Sequence, residues 1–144
     1  MLLNMQNIMP SIISEMRSSL YEFYLTGSRY WGTFTEKSDW DFFVQDSKSV
    51  REYLTKRGFT NYSRYSEYAA DGQCIDVFVY RPFNEPSSDD LSNQVHVQIV
   101  LDAKFKQAVQ EELFRLFPRG FRDKDEASKI WLTAFTLAKY KPQQ

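Results

Sequence analysis

The chain has 144 residues, with 18 Lys and Arg against 19 Asp and Glu, one His and one Cys, for a formal net charge of -1. That length suits one compact domain and excludes a two-lobed enzyme, while a hydrophobic fraction of 42% with 12 Phe, 9 Tyr and 3 Trp argues against disorder. The charge balance supplies no global field for a polyanion, so a nucleic acid would need a local basic patch.

Cys74 has no partner, which excludes an intramolecular disulfide and any multi-cysteine metal site and fits a reducing compartment. Residues 1–7 (MLLNMQN) lack the basic start and unbroken apolar run of a secretory leader. No stretch approaches the roughly 18 apolar residues of a membrane span. The chain reads as cytoplasmic, with no membrane partner.

After Pro10, Ile12, Ile13, Met16 and Leu20 stand at helical spacing and predict a first helix over 11–20. Residues 21–26 (YEFYLT) read as a short aromatic strand that breaks at a Gly27-Ser28 turn. Residues 40–44 form the next expected strand, and a helix over 47–57 with the stripe Val50, Tyr53, Leu54 stops at Gly58. Residues 61–68 alternate aromatic and polar; with a turn at Asp71-Gly72 and the β-prone run 74–80 (CIDVFVY) they predict a hairpin.

A loop over 81–90 leads to Val95, Val97 and Ile99, which alternate with His96 and Gln98 as in a half-buried strand that closes the sheet. Phe105, Ala108, Val109, Leu113, Leu116 and Phe117 stripe one C-terminal helix, and Ala127, Ile130, Trp131, Ala134 and Ala138 another, with 118–125 between them. The expected class is α/β (α+β): a single domain over 1–144, its core within about 11–102 and its C-terminal helices within about 103–140.

Asp39 and Asp41 stand at i and i+2 on the strand expected over 40–44, so both project to one face while Trp40 and Phe42 take the other. Two carboxylates in one small volume repel unless they serve a cation or acid/base chemistry. Asp76 is a charge inside an apolar strand, costly unless compensated. Were its strand beside that of Asp39 and Asp41, three carboxylates would converge on divalent ions, as in two-metal phosphoryl and nucleotidyl transfer. The Gly27-Ser28 turn offers backbone N–H groups and a hydroxyl, which suit phosphate.

Gly27-Ser28-Arg29, Gly32, Ser38-Asp39-x-Asp41 and the later Asp76 together resemble the nucleotidyltransferase superfamily that includes DNA polymerase beta, and most of all its minimal members. The resemblance covers residues 11–80, with Phe42 and Val44 at apolar strand positions. It implies a mixed β-sheet flanked by helices, here with the two C-terminal helices. It also implies Mg²⁺, as two ions or with Mn²⁺ in its place, held by Asp39, Asp41 and Asp76, with Asp76 helping to activate the attacking hydroxyl. Gly27 and Ser28 would hold the β- and γ-phosphates, with Arg29 and Ser38 completing the nucleotide site. The implied activity moves a nucleoside monophosphate from an NTP donor to a hydroxyl acceptor (protein, RNA or small molecule) and releases pyrophosphate. Residues after 81 match no substrate-binding domain of that family, so the acceptor is open.

Other readings of the same residues are weaker. Gly27 to Gly32 has the glycine spacing of a P-loop, but Thr33-Phe34 follows where Lys and Ser/Thr are required. Asp39-x-Asp41 could begin an EF-hand, yet Phe43 stands at the third ligand position and Val44 at the required glycine. Arg29 is equally suited to a phosphate or to an ion pair with Glu36 or Asp39, whereas Tyr30 and Trp31 could stack on a nucleobase but in so aromatic a chain are more often core. His96 lies on the polar face of its strand and is expected to have no role. Arg115, Arg119, Arg122 and Lys124 could touch an RNA or DNA acceptor or form a solvated helix junction. The alternative function is a non-catalytic module of this fold that binds a nucleotide or a protein partner, such as one half of a toxin–antitoxin pair, with a partner helix on the Trp131/Phe135 face.

Overall fold

The structure, a computed structural model, describes residues 9–63, 73–82 and 91–140. In chain order the elements are α1 (Ser11–Arg17), β1 (Tyr24–Thr26), α2 (Gly27–Trp31), β2 (Trp40–Gln45), α3 (Lys48–Lys56), β3 (Thr60–Asn61), β4 (Cys74–Tyr80), β5 (Val95–Val100), α4 (Ala103–Leu116) and α5 (Lys124–Lys139). The five strands form one mixed sheet in the order β1-β2-β5-β4-β3, with β2 and β5 parallel and the other pairs antiparallel. The expected Asp71-Gly72 turn and residues 83–90 of the expected loop lie outside the described residues.

The alternation within the strands divides the sheet into two apolar faces. Phe42 and Val44 of β2, Val95, Val97 and Ile99 of β5 and Phe78 of β4 pack with Ile12, Ile13 and Met16 of α1 and Val50 and Leu54 of α3. Each such side chain contributes about 1.5–3 kcal/mol when fully buried. The opposite face carries Phe43 and Val100, which pack with Ala103 of α4. α4 and α5 meet α2 in a further cluster of Trp31, Val109, Leu113 and Phe135.

Local chemistry fixes the element ends. Ser47 accepts from the Val50 amide, Asp102 from that of Phe105 and Asp123 from that of Glu126, so all three longer helices begin on a side-chain cap. α1 stops at Arg17, three residues before the expected end, and Leu20 is exposed. β1 starts only at Tyr24, because Tyr21 and Phe23 pack on Tyr53 of α3 with ring centroids 5.3 and 6.3 Å away. Where a simple turn was expected after β1, Gly27 begins the short helix α2. α4 ends before Phe117, and both Leu116 and Phe117 are exposed instead of completing its apolar stripe.

The largest departure concerns β5. Alternation suggested a strand that closes the sheet, but β5 runs through its middle, between β2 and β4. Its Val95, Val97, Ile99 and Val100 are fully buried. His96 and Gln98 therefore face protein and the site rather than open solvent, which is the usual condition of a strand with a parallel neighbour.

Candidate metal centre

Three strands meet at one end of the sheet. Thr26, the last residue of β1, is the register partner of Asp41 on one side, and His96 of β5 is its partner on the other. Because Phe42 and Val97 point into the α1/α3 core, Asp41 and His96 project from the opposite face. Asp39 joins them from the start of β2, as the i, i+2 spacing requires. One carboxylate oxygen from each aspartate and a ring nitrogen of His96 all lie within 4.8 Å of one another. His96 Nε2 is 3.4 Å from Asp39 Oδ2 and 3.2 Å from Gln94 Oε1.

The electrostatics follow from this crowding. Burial pushes the Asp41 carboxyl well above the usual carboxylate range, and the charge of Asp39 and a hydrogen bond to it push the same way, against the weaker pull of Lys124 and Arg29. Burial also lowers the pKa of the His96 imidazole; Asp39 opposes that shift and Arg81 reinforces it. In metal-free protein Asp41 thus tends to keep a proton, and His96 tends to be neutral. Two carboxyl groups and a neutral imidazole at these separations are a donor set that a divalent ion fits, its charge replacing the proton on Asp41.

The remaining expected site residues take distinct positions. Gly27 lies against Asp41: a Cβ on residue 27 would collide with Asp41 Oδ2, and the backbone there has φ +71°. Ser28 follows in α2, where its carbonyl accepts from the Gly32 and Thr33 amides. Arg29 donates from Nε to the Asp39 carbonyl (3.1 Å) and from Nη2 to the Ser38 carbonyl (2.8 Å), and its guanidinium lies 4.0 Å from the Trp40 ring centroid. It thus clasps the backbone that carries Asp39. The Ser38 hydroxyl accepts from the Thr35 amide at 2.9 Å and shapes the turn before β2.

Asp76 does not join this group. Its strand is separated from β2 by β5, and it stands in register with Ile99, level with Val44 instead of Asp41. A bulge between Cys74 and Asp76 leaves it on the α1/α3 face, opposite Asp41. There its Oδ2 receives Arg51 Nη1 at 2.6 Å, while Arg51 Nε donates to Asp46 at 2.8 Å. The half-buried strand charge is compensated by an arginine, and the structure does not bring Asp76 together with Asp39 and Asp41 as the expected triad required.

Sequence reasoning missed His96 because a lone histidine carries no spacing signal; its appearance near the start of a second strand, between Val95 and Val97, was the available clue. Tyr30 and Trp31 are core: Trp31 packs on Phe114 and Phe121 at 5.7 and 4.9 Å. Arg115 pairs with Glu112 and Arg122 with Glu126 on the surface. The Trp131/Phe135 face offered to a partner helix is taken up internally, since the two rings stack at 5.4 Å and Phe135 is buried with Val109 and Leu113 of α4.

No protein-family model, no curated protein and no solved structure matches the chain. Among the described residues, no helix is long and apolar enough to cross a membrane.

Proposed function

We propose that the protein is a divalent-metal-dependent nucleotidyltransferase that moves a nucleoside monophosphate from an NTP to a hydroxyl acceptor with release of pyrophosphate. One observation carries the reading: Gly27, 14 positions before Asp41 in sequence, lies so close to the Asp41 carboxyl that no side chain fits between them. Gly27 and Ser28, where β1 passes into α2, and a carboxyl pair suited to a cation thus share one corner, where a metal-bound triphosphate needs phosphate donors as well as an ion.

In this reading Asp39 and Asp41 would hold the ion, whose charge would take the place of a proton on Asp41. A bound divalent ion supplies charge neutralisation and Lewis-acid polarisation at the phosphates. The Ser28 hydroxyl, which has no hydrogen-bond partner among the described residues, is left for a phosphate oxygen. Arg29 keeps the 38–39 backbone in place and adds positive charge beside both aspartates. Catalysis in such a site is chiefly positioning and electrostatic stabilisation.

A second reading, a module that binds a nucleotide without transferring it, is favoured by the engagement of Asp76 with Arg51, which leaves two carboxylates in the cluster among the described residues. The test is pyrophosphate release from each of the four NTPs with Mg²⁺ or Mn²⁺, in the presence of RNA, protein and small hydroxyl acceptors. Release that Asp39→Asn abolishes supports transfer. Nucleotide binding with no release under any combination supports the binding module.

A further inference from the structure

We propose that His96 is itself a ligand of the metal site and that it turns the site toward divalent ions that accept nitrogen, favouring Mn²⁺ over Mg²⁺. The inference rests on the reading of Asp39 and Asp41 as metal ligands and adds the identity of the third donor and of the ion.

The geometry points to ligation in three ways. First, β5 is paired in parallel with β2 so that His96 is the register partner of Asp41, on the same face. Neighbouring strands are about 4.8 Å apart, close enough for two such side chains to bind one ion. Second, the ring is aimed at the acids: Nε2 is 3.4 Å from Asp39 Oδ2, and the three donor atoms all lie within 4.8 Å. Two donors at right angles, each about 2.1 Å from a metal, stand about 3 Å apart, so binding asks for a contraction of at most about 1.8 Å. Third, His96 sits on a central strand whose backbone is anchored on both sides of it by the fully buried Val95 and Val97, which fixes the point from which the ring projects.

Ligation needs the Nε2 lone pair. In the metal-free protein Nε2 faces two oxygens, Asp39 Oδ2 and Gln94 Oε1 at 3.2 Å, and with the proton on Nε2 it would donate toward them. Ligation through Nε2 would require the ring proton to sit on Nδ1, the tautomer that leaves the Nε2 lone pair for the ion. The Asp39 oxygen that faced the ring then turns from hydrogen-bond acceptor to fellow ligand.

The chemical consequence is selectivity. Mg²⁺ is hard, keeps its waters and is served best by oxygen, whereas imidazole suits transition-metal ions, and Mn²⁺ accepts carboxylate and imidazole together. A site of three carboxylates would give Mg²⁺ its preferred donors; the substitution of a neutral nitrogen for one of them removes both a charge and an oxygen.

The test is pulsed EPR of Mn²⁺ alone bound to the full chain, with Mn²⁺ and Mg²⁺ affinities by calorimetry, for wild type, Asp41→Asn and His96→Asp. The expected result is a directly coordinated ¹⁴N coupling on Mn²⁺ in wild type, which needs no variant to fold, together with binding of Mn²⁺ at least about tenfold tighter than Mg²⁺. His96→Asp should lose the ¹⁴N coupling and narrow the Mn²⁺/Mg²⁺ gap as Mg²⁺ binding gains. Mn²⁺ that binds dependent on Asp41 without any ¹⁴N coupling, or with a coupling that survives His96→Asp, overturns the role of His96 and leaves the aspartate site standing. Absence of Mn²⁺ binding to wild type overturns both readings.

Discussion

Asp41 occupies the space that a side chain on residue 27 would need: a Cβ there collides with Asp41 Oδ2 and comes within 3.0 Å of its Cβ and Cγ. The Gly27 backbone also has φ +71°, a conformation that costs an L-residue about 1–2 kcal/mol. Gly27→Ala should therefore displace Asp41, lower stability by roughly 1–3 kcal/mol and abolish metal binding. Gly32 is the control, since its φ is +82° but nothing lies within 4 Å of an added Cβ. Gly32→Ala should carry the backbone cost alone and keep the metal site. Urea unfolding beside Mn²⁺ titration measures both; equal metal affinity in the two variants would refute the steric argument.

Asp41→Asn should stabilise the metal-free protein at neutral pH. The folded-state pKa of Asp41 is raised, so between the unfolded value of about 3.9 and the higher folded value the native state holds more protons than the unfolded state. This contribution makes stability fall as pH rises through that window, and Asn removes it. The urea midpoints of the two proteins in chelator should coincide near pH 3 and separate in favour of Asp41→Asn as pH rises. A variant less stable than wild type throughout would mean that Asp41 is satisfied as a carboxylate. By the same proton, metal affinity in wild type should weaken as pH falls.

Asp76→Asn should behave as a structural variant only. It weakens a half-buried bond to Arg51, worth about 1 kcal/mol, and lies outside the Asp39, Asp41 and His96 group. Mn²⁺ affinity and any transfer activity should match wild type. Loss of metal binding in a variant that still folds would restore Asp76 to the site.

Gln110 ties the end of β1 to α4 without exposure to solvent. Its Oε1 accepts from the Thr26 hydroxyl at 2.5 Å and its Nε2 donates to the Leu25 carbonyl at 3.0 Å, immediately before Gly27. Gln110→Leu leaves the buried Thr26 hydroxyl and the half-buried Leu25 carbonyl without these bonds and should cost roughly 1–4 kcal/mol, most of it from Thr26. Thermal unfolding checks the loss, and a change below about 0.5 kcal/mol would mean that water replaces the amide.

The legible part of this molecule was what period alone determines. Asp39 and Asp41 share a face because strand side chains alternate, and the same rule put Asp76 with Phe78 and Tyr80. Which strands become neighbours is decided by long-range pairing, and that carries no local signature. Alternation in 95–100 showed two unlike faces but not that β5 would slide between β2 and β4, setting His96 beside Asp41 and excluding Asp76. Arg51 as the partner of Asp76 was equally hidden, because 25 residues separate them and only the fold closes that distance. Trp31 and Phe135 are aromatic residues of the kind that line binding sites, and their burial where α2, α4 and α5 meet follows from packing that no single helix displays.

The most direct test of the account is calorimetry of each of the four NTPs against wild type and Asp41→Asn, with Mg²⁺, with Mn²⁺ and in chelator. The account predicts binding of at least one NTP that requires the divalent ion and disappears in Asp41→Asn. Binding that persists in chelator or in Asp41→Asn, or no binding by the wild type under any condition, would contradict a metal-nucleotide site at Asp39 and Asp41.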